Sequence, residues 1–581
     1  MYVAVVPNRN SPPAILLRES FRENGKVHNR TIANLSHWPP AKIDALRAVL
    51  KGSTAVGIPL PQAFDIVRSR PHGHVAAVLG TLHKLHFDRL FDKHSERNRD
   101  LVLAMIVARV LDPASKLATS RALHPDTLSS TLGELLHLDS VTEDELYQAM
   151  DWLLPQQDRI ENALAKRNLA EGALVLYDLT STYFEGRHCP LGKLGHSRDD
   201  QKGKLQIVFG LLTNAEGCPV AVEVYAGNTS DPKTVSDQVS KLRKRFGLQR
   251  VILVGDRGMI TSARLREDLK PACGIEWITA LRAPAIKKLA SDGVLQLSLF
   301  DSRDLAEITH PDFPGERLIA CYNPLLAEER ARKRPELLAA TEKELEKIAL
   351  ATRRPKRPLR GKQNIGLRAG KVLNRFKMGK HFEMQIEDDS FTYKRKKANI
   401  EKEESLDGIY VIRTNVAAEV LSSEQAVRNY KSLSGVERAF RSLKTVDLHV
   451  RPIHHRQPDR VRAHIFLCML AYCVEWHMRK NLAPLLFDDE DKAAAEKLRA
   501  SVVAPAQRST SAQAKALSKR TQDNLPVHSF QTLLADLATI VSNRVQPKDA
   551  STPAFDMITV PTALQQRALD LLQVTIKATV A

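Results

Sequence analysis

The spacing of apolar positions along the 581 residues changes several times, and each change predicts a different kind of element. The opening forty positions hold short β-like runs, "MYVAVVP" and "PAILLRESF", with a polar turn between them. From about Ala41 to Leu169 the period becomes helical. "RNRDLVLAMIVARVLDP" reads as a strongly apolar helix stopped by Pro113. "TEDELYQAMDWLLP" opens with Thr142 and Glu145 in capping-box spacing and ends before Pro155. This stretch, 41–169, is expected to be a helical module of its own, following a β-rich segment at 1–40.

Between 170 and 282 the pattern turns to strands. "GALVLYDLTSTYFEG" has strand length, and "LQIVFGLLTNAEGCPVAVEVYAGN" reads as a hairpin around "NAEG". A helix from about Asp231 to Phe246 follows, then the buried strand "RVILVGDRGM", a helix from Thr261 to Leu269 and the strand "EWITALR". Such an order predicts a mixed α/β sheet. From 283 to 406 charge interrupts it, with "RRPKRPLRGK" holding six basic residues in ten; an insertion, partly β and partly mobile, is expected. "GIYVIRTN" restores a strand, and 407–483 completes the sheet domain with a helix over Tyr430–Thr445. Beyond Pro484 an Ala/Lys/Ser-rich stretch predicts a flexible tail, 484–581, with a role in dimerisation.

Composition changes this picture in one respect. Apolar and charged contents of 43 % and 26 % are ordinary, but 86 basic against 67 acidic residues give a net charge of +19. That predicts an acidic partner, most commonly nucleic acid. The longest apolar run, "IFLCMLAYCV", stops at Glu475, short of the ~20 residues that span a bilayer, and reads as a buried helix. No signal sequence opens the chain, and six scattered cysteines without a C-x-x-C pair suit reduced thiols. The expected place is the cytoplasm, on the nucleoid.

Chemistry is suggested by three carboxylates. Asp178 and Asp256 end predicted buried strands, where an uncompensated carboxylate costs several kcal/mol. Each can also be read as the cap of the turn that follows. Glu437 lies in "YKSLSGVERAFRSLKT", where helical spacing puts Tyr430, Glu437, Arg441 and Lys444 on one face. Leu433, Val436, Phe440 and Leu443 form a separate apolar stripe. An i,i+4 Glu–Arg pair there would stabilise a solvated helix by only ~0.3–0.5 kcal/mol. Two strand ends and one helix bearing carboxylates can instead hold two Mg²⁺ ions for phosphodiester chemistry.

Other groups have blander readings. His188, Cys189 and His196 fit no zinc spacing, and Asp199, Asp200 and Asp231 have the polar neighbours of loops and caps. His449, His454 and His455 read as loop residues near phosphate, and the Arg353–Lys362 cluster as a DNA contact.

The blocks "YDLTSTYFEG", "GHSRDDQKGKLQIVFGLL", "GNTSDPKT", "VILVGDRGM" and "YKSLSGVERAFRSLK" together resemble, in order, the motifs of bacterial insertion-sequence transposases of the DDE type. Within that family they resemble the subgroup with a β-rich insertion between the second Asp and the Glu. The resemblance implies an RNase-H-like core, with Asp178, Asp256 and Glu437 as catalytic residues and ligands of two Mg²⁺ ions, or Mn²⁺ in their place. The family's helix signature of Tyr, Arg, Glu and Lys falls on Tyr430, Leu433, Glu437 and Lys444, so Leu433 stands where an Arg is expected. Tyr430, Lys431, Arg438, Arg441 and Lys444 are the implied DNA contacts. Implied partners are duplex DNA (terminal inverted repeats and target) and a second copy in a dimer that synapses two ends. The 41–169 stretch is expected to read the element ends. A nuclease that only cleaves, or a regulator that no longer cuts, are the alternatives.

Overall fold

The computed structural model describes residues 1–9, 11–23, 25–51, 63–92, 94–199, 201–269, 274–300, 304–548 and 553–576. The chain forms two compact units: Met1–Gly80 with Leu117–Thr142 and Gln531–Ala581, and Thr81–Lys116 with Glu143–Phe530.

The first unit begins with β1 (Tyr2–Val6), β2 (Ala14–Glu23) and β3 (Lys26–Asn34), an antiparallel sheet in that order. A helix, Pro40–Leu50, and β4 (Phe64–Pro71) follow.

The second unit carries the large sheet. Its strands are β5 (Ala173–Tyr183), β6 (Gln206–Asn214), β7 (Pro219–Ala226), β8 (Val251–Val254), β9 (Ile275–Ala280), β10 (Leu305–Ile308), β11 (Arg317–Tyr322) and β14 (Ile409–Thr414). Their spatial order is β10-β11-β14-β9-β8-β5-β6-β7. β5, β6 and β7 are antiparallel, whereas β5, β8 and β9 run parallel. This is a mixed sheet of the RNase-H-like kind. β8 is buried along its whole length, as "VILV" between two neighbours must be. Val175, Tyr177, Leu212, Val251, Leu253 and Trp277 share one core cluster with helical residues such as Leu242 and Leu265.

Three expectations are corrected. The 41–169 stretch is not one module, because its helices are divided between the two units. Helix Glu96–Leu111 is buried all along Leu101–Val107. A helix without a polar face needs partners on every side, and it finds them in Glu143–Leu153 and in the long helix Pro458–Leu482.

The insertion also differs. Helix Ala283–Ser291 packs with strands β10 and β11, which extend the main sheet, so only 324–404 stands outside it. That segment is well packed rather than mobile. Helices Pro324–Thr352 and Lys362–Phe376 and the hairpin β12 (Phe382–Ile386)–β13 (Phe391–Arg395) share a core of Leu345, Ile365, Ala369, Phe382 and Phe391.

The described part of the tail is ordered as well. Helix Thr510–Ser518 is capped by the Ser509 hydroxyl, and the buried Lys515 ammonium donates to the carbonyls of Ala483 and Asp488. Further on, β15 (Val541–Pro547) pairs with both β4 and β16 (Phe555–Ile558), so the chain's last part completes the first unit. Pairing across such a separation leaves no local sequence signal.

Residues Ile465–Val474 are buried within Pro458–Leu482, as expected of "IFLCMLAYCV". Among the described residues no helix is long and apolar enough to cross a membrane.

Candidate active site

Strand register brings the two aspartates together. Parallel pairing of β5 with β8 ends at Leu176 opposite Val254, and two residues beyond each partner lie Asp178 and Asp256. Asp256 follows the end of β8, but Asp178 is not at a strand end. β5 continues to Tyr183 because its other edge stays paired with β6, Asp178 opposite Leu211.

One oxygen of Asp256 accepts the backbone N–H groups of Gly258 and Met259, at 2.7 and 2.8 Å. A Cβ at Gly258 would lie 3.1 Å from that oxygen, a tight contact that would push the carboxylate by a few tenths of an ångström. The Arg282 guanidinium donates to the carbonyls of Arg257 and Gly258 and braces the loop from outside. The cap reading and the site reading of Asp256 are therefore compatible, since the turn occupies a single carboxylate oxygen.

Glu437 is exposed in the first turn of the helix Ser434–Arg441. The expected single helix over Tyr430–Thr445 is instead three pieces. Helix Ser423–Lys431 ends, Ser432 and Leu433 turn, and Ser434–Arg441 is followed by a π-helical turn, Ser442–Val446. The Ser432 hydroxyl bonds back to the Asn429 carbonyl, and Ser434 and Gly435 are weak helix formers, which accounts for the break. Leu433, Val436, Phe440 and Leu443 are all buried, as the apolar stripe requires. Phe440 meets Phe209 of β6 edge to face, with ring centres 5.6 Å apart. Leu433 thus serves packing at the position where the family carries an Arg.

Electrostatics tie the three carboxylates together. Burial pushes the Asp178 carboxyl up to about 7. The Leu179 N–H opposes this, neighbouring Asp256 and Glu437 raise it further, and Arg198 lowers it. The phenol of half-buried Tyr430 is pushed up to about 12, by burial and then by Asp256, Asp178 and Glu437. Among the described residues, no ion pair holds Asp178, Asp256 or Glu437. Asp178, raised by two neighbouring carboxylates and in direct salt bridge with no side chain, is suited to a divalent cation as counter-charge.

Two of the expected DNA contacts are engaged internally. Lys444 is buried on the π-helical turn. Its ammonium donates to Thr180 Oγ1 at 3.0 Å and to the Ser181 carbonyl at 2.9 Å, and pairs with Asp199. Lys431 donates to the carbonyls of Val502 and Val503, at 2.8 and 2.7 Å, and burial lowers it to about 8. Both ammonium groups thus spend hydrogen bonds inside the protein. Arg438 and Arg441 are exposed.

Sequence reasoning missed a supporting group. Asp199, read as a loop residue, has a side chain only 2 % exposed and accepts from both Lys444 and Arg451. Arg198, beside it, pairs with Asp231 at 2.5 Å, while its backbone N–H meets the Ser181 hydroxyl. The polar run "GHSRDDQKGK" hid these roles, because nothing local shows that it folds over β5. A cavity of about 370 Å³ opens beside Lys444, lined also by Arg451, His449 and Tyr183. Asp200 lies outside the described residues. His455 is packed between Tyr147 and His464 rather than free in a loop. In the Arg353–Lys362 cluster, Arg353, Arg354, Lys356 and Arg357 are exposed, whereas Arg360 is tied to the Thr352 and Asp389 carbonyls.

Two family models match the chain. One described as "Transposase DDE domain" matches residues 187–474, which include Asp256 and Glu437 and begin after Asp178. One described as "IS1634 family transposase, N-terminal domain" matches residues 3–57. No curated protein matches. Among solved structures the chain is similar to a piggyBac transposase in a synaptic complex with hairpin DNA, at 9 % identity and TM-score 0.32, over 69 % of this chain and 72 % of that one. So loose a likeness adds nothing to the strand order and the family matches. Together the two matched stretches cover more than half of the chain, and the protein belongs to the insertion-sequence transposases of the DDE type, enzymes that cut DNA and transfer its strands with the help of divalent metal.

Proposed function

We propose that Asp178, Asp256 and Glu437 form a single site for two Mg²⁺ ions, with Mn²⁺ able to replace them, and that the ends of the element are cut and joined to target DNA there. The observation that carries this reading is the strand register, which sets Asp178 and Asp256 each two residues past the last paired residues of β5 and β8, with Glu437 exposed on a helix that packs on β6 through Phe440. Bound there, the ions would supply activation of the attacking hydroxyl and stabilisation of the leaving 3′ oxygen.

The chain's own residues have distinct parts. Asp256 keeps one oxygen on its turn and offers the other outward. Lys444, with Asp199, holds β5 immediately beyond Asp178, and is a positioning residue. Tyr430 presents a protonated phenol near the carboxylates, fit to contact the DNA strand by hydrogen bond or by stacking on a base. Arg438 and Arg441 lie on the exposed side of the glutamate helix, Arg441 about 6 Å along the axis from Glu437, and meet phosphates. The duplex partners are the terminal inverted repeats and the target, held by a homodimer that synapses two ends.

The test is cleavage of an end-bearing duplex in Mg²⁺ by purified Asp256→Asn and Glu437→Gln proteins. Cleavage should fall by roughly a thousandfold or more while gel-shift affinity for the ends holds within about twofold. A Glu437→Gln protein cutting at a comparable rate overturns the assignment. Joined products on target DNA separate transposition from simple cleavage.

A further inference from the structure

A second group of ligands, chemically unlike the carboxylates, lies elsewhere in the same unit. Cys218 closes the turn between β6 and β7, while Cys473 and His477 are four residues apart on the helix Pro458–Leu482. One donor atom from each lies within 4.8 Å of the other two. The Cys218 sulfur is 3.9 Å from His477 Nε2 and 3.7 Å from Asn168 Oδ1.

These distances suit a metal. Residues at i and i+4 project from one helix face, so Cys473 and His477 present their donors side by side. In a tetrahedral site with metal–sulfur bonds of ~2.3 Å and metal–nitrogen bonds of ~2.1 Å, donors stand about 3.6–3.8 Å apart. The Cys218–His477 distance is already near that value, and the whole cluster closes with shifts of about 1 Å or less. Both sulfurs are buried, Cys218 at 0 % and Cys473 at 1 % exposure, while His477 is partly exposed and gives a way in. Two sulfurs and an imidazole select soft or borderline ions, whereas three carboxylates select hard ones.

We propose that Cys218, Cys473 and His477 bind one thiophilic divalent cation of the Zn²⁺ class, with water or the Asn168 carboxamide as fourth ligand. Its role is to hold the β6–β7 turn on the long helix. That turn abuts the glutamate helix. Gly217, next to Cys218, has φ +87°, and a Cβ there would stand 3.5 Å from the carbonyl of Gly435, two residues before Glu437. Glu216 on the same turn pairs with Lys480 of the long helix at 2.7 Å. The ion would therefore fix one wall against which Glu437 is placed, without touching DNA.

The full-length protein, purified under reductant and stripped with chelator, is titrated with Co²⁺ in excess Mg²⁺. One equivalent should give a thiolate-to-cobalt charge-transfer band with intense tetrahedral d–d bands, and one equivalent of Zn²⁺ should displace them. Zn²⁺ should also raise the melting temperature. Cys473→Ser should cut the band at saturation to about half or less and weaken binding by about a hundredfold or more, and His477→Gln should weaken it by about tenfold or more. Asp256→Asn should keep the full spectrum, so failure of the carboxylate reading leaves this result untouched. Absence of the charge-transfer band in the wild-type protein overturns the proposal, a measurement that needs no variant to fold. So does a Cys218–Cys473 disulfide found by peptide mass in the reduced preparation, or a band of undiminished intensity in Cys473→Ser.

Discussion

Lys444 reaches from the end of the glutamate helix to the Ser181 carbonyl, three residues past Asp178 on β5. The two elements that carry Asp178 and Glu437 are thus joined by one buried ammonium, held also by Thr180 and Asp199.

Lys444→Ala should accordingly act on stability and geometry rather than on DNA affinity. Asp199 would keep Arg451 as a partner but lose its buried one, and a loss of about 2–4 kcal/mol is expected in urea unfolding. Cleavage should slow by about a hundredfold through displacement near 1 Å. The slope of log affinity against log salt should not change; a slope reduced by about one unit would mean that Lys444 contacts phosphate.

Arg438→Ala and Arg441→Ala should behave in the opposite way. Both side chains are exposed, so stability should move by no more than about 0.5 kcal/mol. The salt slope should fall by about 0.9 for each phosphate that is no longer neutralised, on specific and random duplexes alike.

Asp178 gives a pH dependence with a definite sign. Its folded carboxyl is pushed up to about 7, chiefly by burial, above its unfolded value. The folded state therefore holds a proton that the unfolded state releases, and this contribution is complete below the unfolded value and lost as pH rises through about 7. In metal-free protein at pH 8, Asp178→Asn should raise stability by about 1–2 kcal/mol while removing activity. Wild-type metal affinity should weaken as pH falls below about 7, measured by calorimetry with Mn²⁺.

Gly258→Ala would set a Cβ 3.1 Å from the capped oxygen of Asp256. Stability should change by about 1 kcal/mol or less, but Mn²⁺ affinity should drop about tenfold as the carboxylate turns. Unchanged affinity would show that the turn does not set the orientation of Asp256.

The sheet was legible because its strands announce themselves: β5, β8, β9 and β14 are apolar runs of strand length, and "NAEG" marks the β6–β7 turn. Asp178 and Asp256 stood out as charges at the ends of such runs. What escaped depends on packing between distant segments. Asp199 looks like a loop residue until Lys444 and Arg451 are folded onto it, and β4 has no visible partner until β15 arrives. The helical wheel failed at Lys444 for the same reason, since its partners Thr180, Ser181 and Asp199 come from a distant segment.

The pairing of β4 with β15 has a consequence for synthesis on the ribosome. Pro71 and Val541 are register partners roughly 470 residues apart, so at ~5–20 residues per second β4 waits about half a minute to a minute and a half for its neighbour. By then every strand of the carboxylate-bearing sheet has been made. A nascent chain broken off before β15 would carry both aspartates and the glutamate on a complete sheet, yet would leave a strand edge open in its first unit, a target for aggregation or proteolysis. Only messages translated to β15 would then yield a durable enzyme, which filters truncated products by their stability rather than by their chemistry.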